Sequence, residues 1–368
     1  MLEIVRRVAR AVGIEPGEQR VFAWAATTFF LIHAASVAVA NAADTFFLKR
    51  IGVTLLPLVF LVSSLLLVLS TGAVARIATR RPQMLLTTRT FFGLAAALLP
   101  LWLLALADVR SVFVVLVVVS KQVESIAVLV FWVAAGALLN TRQAKRLYAP
   151  IVAGGTLGEI AGSFASATIG RTFGIAALLP VAALALAAAG LLARRVHAAL
   201  PARVARVRGR RAASRAGSAV TLLAPLWRES YLFRILALSA FVAGILGPML
   251  YFQFAYAADL ATRGGNAELR LLSLYAAVRG WLSVAILTLQ LVGTARLYRR
   301  IGVPLAATLS PIVYLAGFVA AAVRFSLGAA VGAMAAATLQ DHAVFDPARQ
   351  ILVTLFPERL RPAASDAD

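Results

Sequence analysis

The chain has 368 residues, of which 61% are hydrophobic and 14% charged, with a mean hydropathy of +0.88 and a formal net charge of +21. Soluble domains are nearer half apolar and about a quarter charged, so a soluble globular class is excluded. Cysteine is absent, which excludes disulfides, thiolate metal sites and a cysteine nucleophile.

The first stretch, "MLEIVRRVARAVG", reads as an Arg-faced amphipathic helix on the membrane surface. It belongs to a cytoplasmic N-terminal segment, residues 1–20. Ten apolar runs follow, near 22–47, 53–75, 84–107, 111–139, 148–170, 173–193, 231–258, 267–295, 302–323 and 325–345. Runs of about 20 residues match a hydrocarbon core of about 30 Å, and a chain in lipid satisfies its backbone by forming helices. "AVANAAD" (38–44) contains a small-x-small cleavage pattern. The run before it is longer than a signal-peptide core, and Glu3, Glu15 and Glu18 precede it, so the first span is read as retained.

The charges fall by side. The N-terminus, the even-to-odd loops and the C-terminal tail carry 25 Lys and Arg, the opposite loops carry seven, and four lie inside spans. This alternation puts both termini in the cytoplasm. The expected class is an all-α polytopic membrane protein, multi-pass in the cell (inner) membrane. Its domains are a six-helix bundle (21–193), an Arg-rich cytoplasmic linker (194–228), a four-helix half (229–345) and a cytoplasmic tail (346–368). The linker is expected to hold anionic lipid of the inner leaflet; nucleic acid is not expected as a partner. "GAVARIATRRPQMLL" (72–86) and "GTARLYRRIGVPLA" (293–306) are matching joints in the two parts and suggest a parallel internal repeat.

The joint "NTRQAKRLYAPIVAGG" (140–155) lies between spans four and five. Arg142, Lys145 and Arg146 are placed at the headgroups, Tyr148 at the interface and Pro150 in the first turn of span five. Gly154, Gly158, Gly162, Ser166 and Gly170 then recur every four residues. Such a stripe lets a neighbouring helix come close. It is not a phosphate loop, because no Lys-Ser/Thr follows at the needed spacing.

A charge near mid-bilayer costs about 2.5–3.5 kcal/mol on insertion scales, so each one needs a partner or a role. Lys121 and Glu124 share one face of span four. Glu124 lies about 24 Å along the helix from Asn140. The pair either locks span four to a neighbour or forms a substrate or proton-coupling site. Asn41 and Asp44 share a face near the outer end of span one, with Lys49 and Arg50 close enough to make a salt cluster. His33 in mid-span is either packed through a hydrogen bond or a relay. Arg279, in mid-span eight, is the candidate clamp for an anionic substrate because its forked donors stay charged; it serves equally to neutralise Glu124 or Asp44. Glu159, beside the glycine stripe, either gates by pairing with a loop Arg or faces the interface. Asp341 and His342 close span ten. His33, His197 and His342 lie in separate regions and make no metal set. No hydrolase or kinase pattern is present, and neither an enzyme nor a cofactor is expected.

"ESIAVLVFWVAAGALLNTRQAKRLYAPIVAGGTLGEIAGS" (124–163) resembles the span-four-to-five fingerprint of the nucleotide (ATP/ADP) transporter family and its bacterial major-facilitator-like relatives. The resemblance is carried by Glu124, Ser125, Phe131, Trp132, Asn140, Ala144, Lys145, Arg146, Tyr148, Pro150 and Gly155. "ADTFFLKRIGVTLLPLVFL" (43–61), "MLYFQFAYAAD" (249–259) and "LVGTARLYRRIGVPLAATLSP" (291–311) extend it loosely over most of the chain. It implies a major-facilitator-like bundle and a secondary transporter that moves an anionic metabolite, with a nucleotide as the family's substrate, by alternating access. Lys121, Glu124, Arg279, Asn41 and Asp44 would hold the substrate. His33, Glu159, Asn140, Lys145 and Arg146 would gate or couple. The nucleotide-exchanging members carry a Lys where this chain has Ala43, and they have twelve spans, two more than are found here. Strict ATP/ADP exchange is therefore disfavoured, and a homodimer, or a partner chain supplying two helices, is expected. The alternative is a non-transporting scaffold or sensor built on the same bundle.

Overall fold

The computed structural model describes residues 15, 17–78, 82–199, 227, 231–302 and 309–345. The N-terminal amphipathic stretch, most of the Arg-rich linker and the C-terminal tail lie outside these residues, as do parts of both joints of the internal repeat. The described residues are helical with short connections and contain no strand. In chain order the helices are α1 (Gln19–Arg50), α2 (Leu56–Ala78), α3 (Gln83–Leu106), α4 (Arg110–Leu138), α5 (Thr141–Phe173), α6 (Leu178–Ala199), α7 (Tyr231–Ala261), α8 (Ala267–Thr288), α9 (Thr294–Ile301), α10 (Leu309–Val323) and α11 (Leu327–Gln340). A π-helical turn, Leu289–Gly293, joins α8 to α9, and a second one, Asp341–Phe345, follows α11.

Each of the ten expected spans contains helix among the described residues, and the chain is a multi-pass membrane protein. Among the described residues, seven helical stretches are both long and apolar enough to cross a bilayer. The fifth expected span is long, at 33 residues, but its small and polar residues dilute its hydropathy. The described helices of the ninth and tenth are 15 and 14 residues, or about 22 Å and 21 Å at 1.5 Å per residue.

One detail of the sequence reading is corrected. Residues 141–147 are not a loop: α5 begins at Thr141, so Pro150 lies within the helix and not in its first turn. Asn140 makes the early start stable. Its side chain accepts from the Gln143 backbone N–H at 2.8 Å, and the Gln143 side chain accepts from the Asn140 N–H at 3.0 Å. This reciprocal capping box satisfies two of the donors that a helix start leaves open.

The chain divides into two compact units. The first holds Met1–Gly52, Leu58–Arg210 and Glu268–Gly280; the second holds Val53–Pro57, Arg211–Ala267 and Trp281–Asp368. The six-helix unit thus also contains the first half of α8. Helix α1 is at its centre and packs on α4, α5 and α6. From Asn41 to Leu48 every α1 residue is buried, as expected of a helix enclosed on all sides. Helix α2 is the opposite case: Leu58, Leu61, Leu65 and Leu69 are exposed, an apolar face suited to lipid.

In the second unit, Leu250 of α7, Tyr314 of α10 and Ala333 and Ala337 of α11 form a core. Asp341 accepts from Tyr314 Oη at 2.6 Å and Ser310 Oγ at 3.0 Å. The two π-helical turns also meet: Gln290 Nε2 donates to the His342 carbonyl at 3.1 Å. Next to them, Thr294 Oγ1 and Tyr298 Oη donate to the carbonyls of Ala343 and Val344 at 2.7 Å and 2.5 Å. These side chains occupy carbonyls that wide helical turns expose.

Candidate functional site

The glycine stripe sets the geometry of the six-helix unit by placing α5 against α1 in a fixed register. A Cβ on Gly154 would lie 3.2 Å from the Ala26 carbonyl oxygen, one on Gly158 would collide with the Phe30 carbonyl, and one on Gly162 would lie 2.7 Å from the Ala34 oxygen. Each step of four on α5 matches a step of four on α1, so the two helices run in the same direction with backbones in contact. Ser166 continues the stripe, fully buried, with its hydroxyl turned back to the Gly162 carbonyl at 2.6 Å. Gly170 meets Leu272, from the first half of α8.

This close approach brings His33 and Glu159 together. The His33 ring lies against Gly155, and its Nδ1 is 2.7 Å from Glu159 Oε1. Its Nε2 is buried without a hydrogen-bond partner among the described residues. Glu159 therefore pairs with a partly buried ring of α1. The ring also stands edge-on to Phe29 at 4.4 Å, and Phe29 stacks on Phe131 at 4.6 Å. Trp24, Trp132 and Tyr148 complete an aromatic cluster that joins α1, α4 and α5.

Arg279 of α8 lies against α1. Its Nη1 donates to Asn41 Oδ1 at 2.5 Å and its Nη2 to Asp44 Oδ2. Its guanidinium sits 4.8 Å over the ring of Tyr275, one helical turn earlier. Asn41 is fully buried, and only 3% of the Asp44 side chain and 18% of the Arg279 side chain are exposed. Three of the five expected substrate residues thus converge, and Tyr275 joins them. The spacing of 275 and 279 on one helix face was a signal available in the sequence. Two further contacts hold this part of α8: Arg171 Nη2 reaches Ser273 Oγ at 3.2 Å, and Gly280 packs on the Phe164 ring.

Lys121 and Glu124 lie elsewhere, on α4, with Lys121 half-buried and Glu124 exposed. Between them Gln122 ties α4 to α2, accepting from Ser70 Oγ at 2.7 Å and donating to the Ser63 carbonyl at 3.1 Å. The outer end of α1 is fixed by Arg50. It lies 4.8 Å from both the Phe46 and Phe113 rings, grips Glu268 through Nε at 2.7 Å and Nη2 at 3.2 Å, and also pairs with Asp108. Arg50 is thus engaged with Glu268 and Asp108 at the helix end.

At the opposite end, Arg146 grips the chain just before α1. Its Nη2 lies 2.7 Å and 2.5 Å from the two Glu18 carboxylate oxygens, and its Nη1 pairs with Glu15. Gln143 Nε2 adds a bond to Glu18 at 3.1 Å, and the Glu15 N–H adds another at 3.1 Å. Desolvation pulls the Glu18 carboxyl up, but the Glu15 amide, Gln143 and the Arg146 guanidinium outweigh it and hold the group below the ordinary carboxylate value. The sequence reading missed Glu15 and Glu18 as partners; two acids facing a basic joint were the available signal. Lys145 is on the same helix, and its side chain lies outside the described residues.

Among solved structures, the fold is similar to the crystal structure of nucleoside transporter NupG, with a TM-score of 0.65 and 13% sequence identity, over 94% of this chain and 85% of that one. The all-helical, major-facilitator-like architecture expected from the sequence is therefore shown. No family model and no curated protein matches the sequence.

Proposed function

We propose that the chain is a secondary transporter that moves a small polar metabolite across the cell's inner membrane by alternating access. The observation that carries this reading is Arg279, a cation inside the membrane held on α1 by Asn41 and Asp44 where the first half of α8 docks. Ionisable groups within spans are costly to place there, and they mark substrate or ion pathways. The bundle's similarity to a transporter agrees with this reading. Lys121 and Glu124 on α4, and the His33–Glu159 pair between α1 and α5, are proposed as further binding and coupling groups. Arg146 with its two glutamates is proposed as a clasp at the cytoplasmic end.

The test is uptake by proteoliposomes of a labelled panel: nucleotides, nucleosides, organic phosphates and dicarboxylates. Wild type is compared with Arg279→Gln. Uptake of one class, lost in the variant, supports the reading; a protein that folds and moves none of them defeats it. The close Arg279–Asp44 pair favours one second reading, a scaffold or sensor in which that pair only holds helices together. That reading requires a folded Arg279→Gln/Asp44→Asn protein to keep its biological role.

A further inference from the structure

We infer that the first half of α8, residues 268–280, is the outer gate of the transport cycle, and that Arg50 is the catch on the six-helix unit that releases and recaptures Glu268; this rests on the transporter reading above. The connections after α1 and before α8 lie on the side that the charge alternation assigns to the outside.

Glu268, Leu272, Tyr275 and Arg279 recur at steps of four, three and four, so they share one face of α8. On that face Glu268 meets Arg50, Leu272 meets Gly170, and Arg279 meets Asn41 and Asp44. Leu272, Tyr275 and Ala276 are buried there. After Gly280 the same helix passes into the second unit, where Leu282 and Ile286 pack with Ala343 and Val344. A rocking motion of the second part must therefore either bend α8 near Gly280 or lift its first half off α1.

The outer ion pair is built for lifting. Arg50 is held by groups of the six-helix unit itself: its guanidinium lies 4.8 Å from the Phe46 and Phe113 rings and pairs with Asp108 in the turn between α3 and α4. When Glu268 leaves, Arg50 keeps a carboxylate and two rings. Glu268 is the second residue of α8, where the helix N-terminus favours a negative charge. Separation thus leaves neither charge uncompensated, unlike the breaking of a buried pair. Water already reaches both partners, whose side chains are 28% and 32% exposed. Asp108 and Glu268 share one guanidinium and repel each other while the gate is shut.

The chain has no cysteine, so a single introduced thiol reports alone. Ala276, 1% exposed and one turn from Leu272, is replaced in Ala276→Cys, and its labelling by a membrane-impermeant methanethiosulfonate is timed in right-side-out vesicles. Glu268→Gln and Arg50→Gln are expected to speed labelling about two- to fivefold, the shift that a partly exposed ion pair supports. Asp108→Asn is expected to slow it, because Glu268 then has the guanidinium to itself. A network that only braces the helix ends would loosen in all three variants. Labelling that Asp108→Asn speeds as the others do, equal rates in every variant, or no labelling in any of them, as a bend near Gly280 would give, overturns the inference and leaves the transporter reading to the uptake assay. A folded protein that moves no solute of that panel defeats the transporter reading, and the gate with it. If Ala276→Cys does not fold, Leu272→Cys, fully buried on the same face, carries the same measurement.

Discussion

Glu159 Oε1 stands 2.7 Å from Nδ1 of His33, between two points where α5 and α1 touch backbone to backbone, Gly158 on Phe30 and Gly162 on Ala34. The polar pair and the glycine stripe are thus one feature. Only because the glycines let the helices approach so closely can the two side chains meet directly. The pair in turn supplies a specific polar contact to an interface that is otherwise dispersion between small residues.

His33→Leu removes the imidazole that meets Glu159 and puts an apolar side chain against the carboxylate. Losing a hydrogen-bond partner at a buried polar group costs about 1–3 kcal/mol. The lower end applies here, because the Glu159 side chain is 33% exposed. His33→Gln retains a donor and is expected to recover part of the loss. Thermal melts of the purified variants check this; a His33→Leu protein as stable as wild type would show that the pair contributes nothing to packing.

Gly158→Ala puts a methyl group against the Phe30 carbonyl, a backbone atom that cannot rotate away. Overpacking of this kind costs about 1–3 kcal/mol. Gly136→Ala in α4 meets no described residue within 4 Å and is the control, expected to be neutral or slightly stabilising through helix propensity. Equal melting points for the two variants would refute the close contact between α1 and α5.

Much of this architecture was legible in the sequence, because the bilayer imposes it. Spans, loops and the small-residue stripe all follow from the need to satisfy backbone groups in lipid and to pack without large side chains. The identity of the stripe's partner was not legible: nothing in "GGTLGEIAGS" (154–163) names Ala26, Phe30 and Ala34. Polar pairing was half legible. Arg279 was open to Asp44 or Glu124 on the sequence, and only the packing of α8 on α1 selects Asp44. The joint at 140–146 was misread as a loop because its charges obscured a capping box, Asn140 with Gln143, whose spacing was present in the sequence. A coupling role for Glu159 was expected, but its His33 partner lies 126 residues away and depends on register.

The Glu18 clasp is expected to be sensitive to pH. Its carboxyl is held below the ordinary value of 4.5 in the folded state. A group depressed on folding stabilises the fold fully above its unfolded pKa, and the contribution is lost as pH falls through the folded-state pKa. The gap in melting point between wild type and Glu18→Gln is therefore expected to be open at pH 7, to narrow below pH about 4 and to close in stronger acid. A gap that persists unchanged into acid would mean that Gln disturbs packing and that the charge contributes nothing.

Arg279 and Asp44 give the clearest energetic test of the site. Arg279→Gln takes the guanidinium away from the buried Asp44 carboxylate, and removing one member of a buried ion pair costs about 3–5 kcal/mol. Asp44→Asn leaves the converse charge and is expected to cost less, because Arg279 keeps Asn41 as an acceptor and the Tyr275 ring beneath it. The double variant removes both charges and keeps side chains of similar shape. It is expected to be more stable than Arg279→Gln alone, giving a coupling energy of about 1–3 kcal/mol across the cycle. Chemical or thermal unfolding of all four proteins in one detergent measures it. Additive single effects would mean that the two residues do not interact in the folded protein.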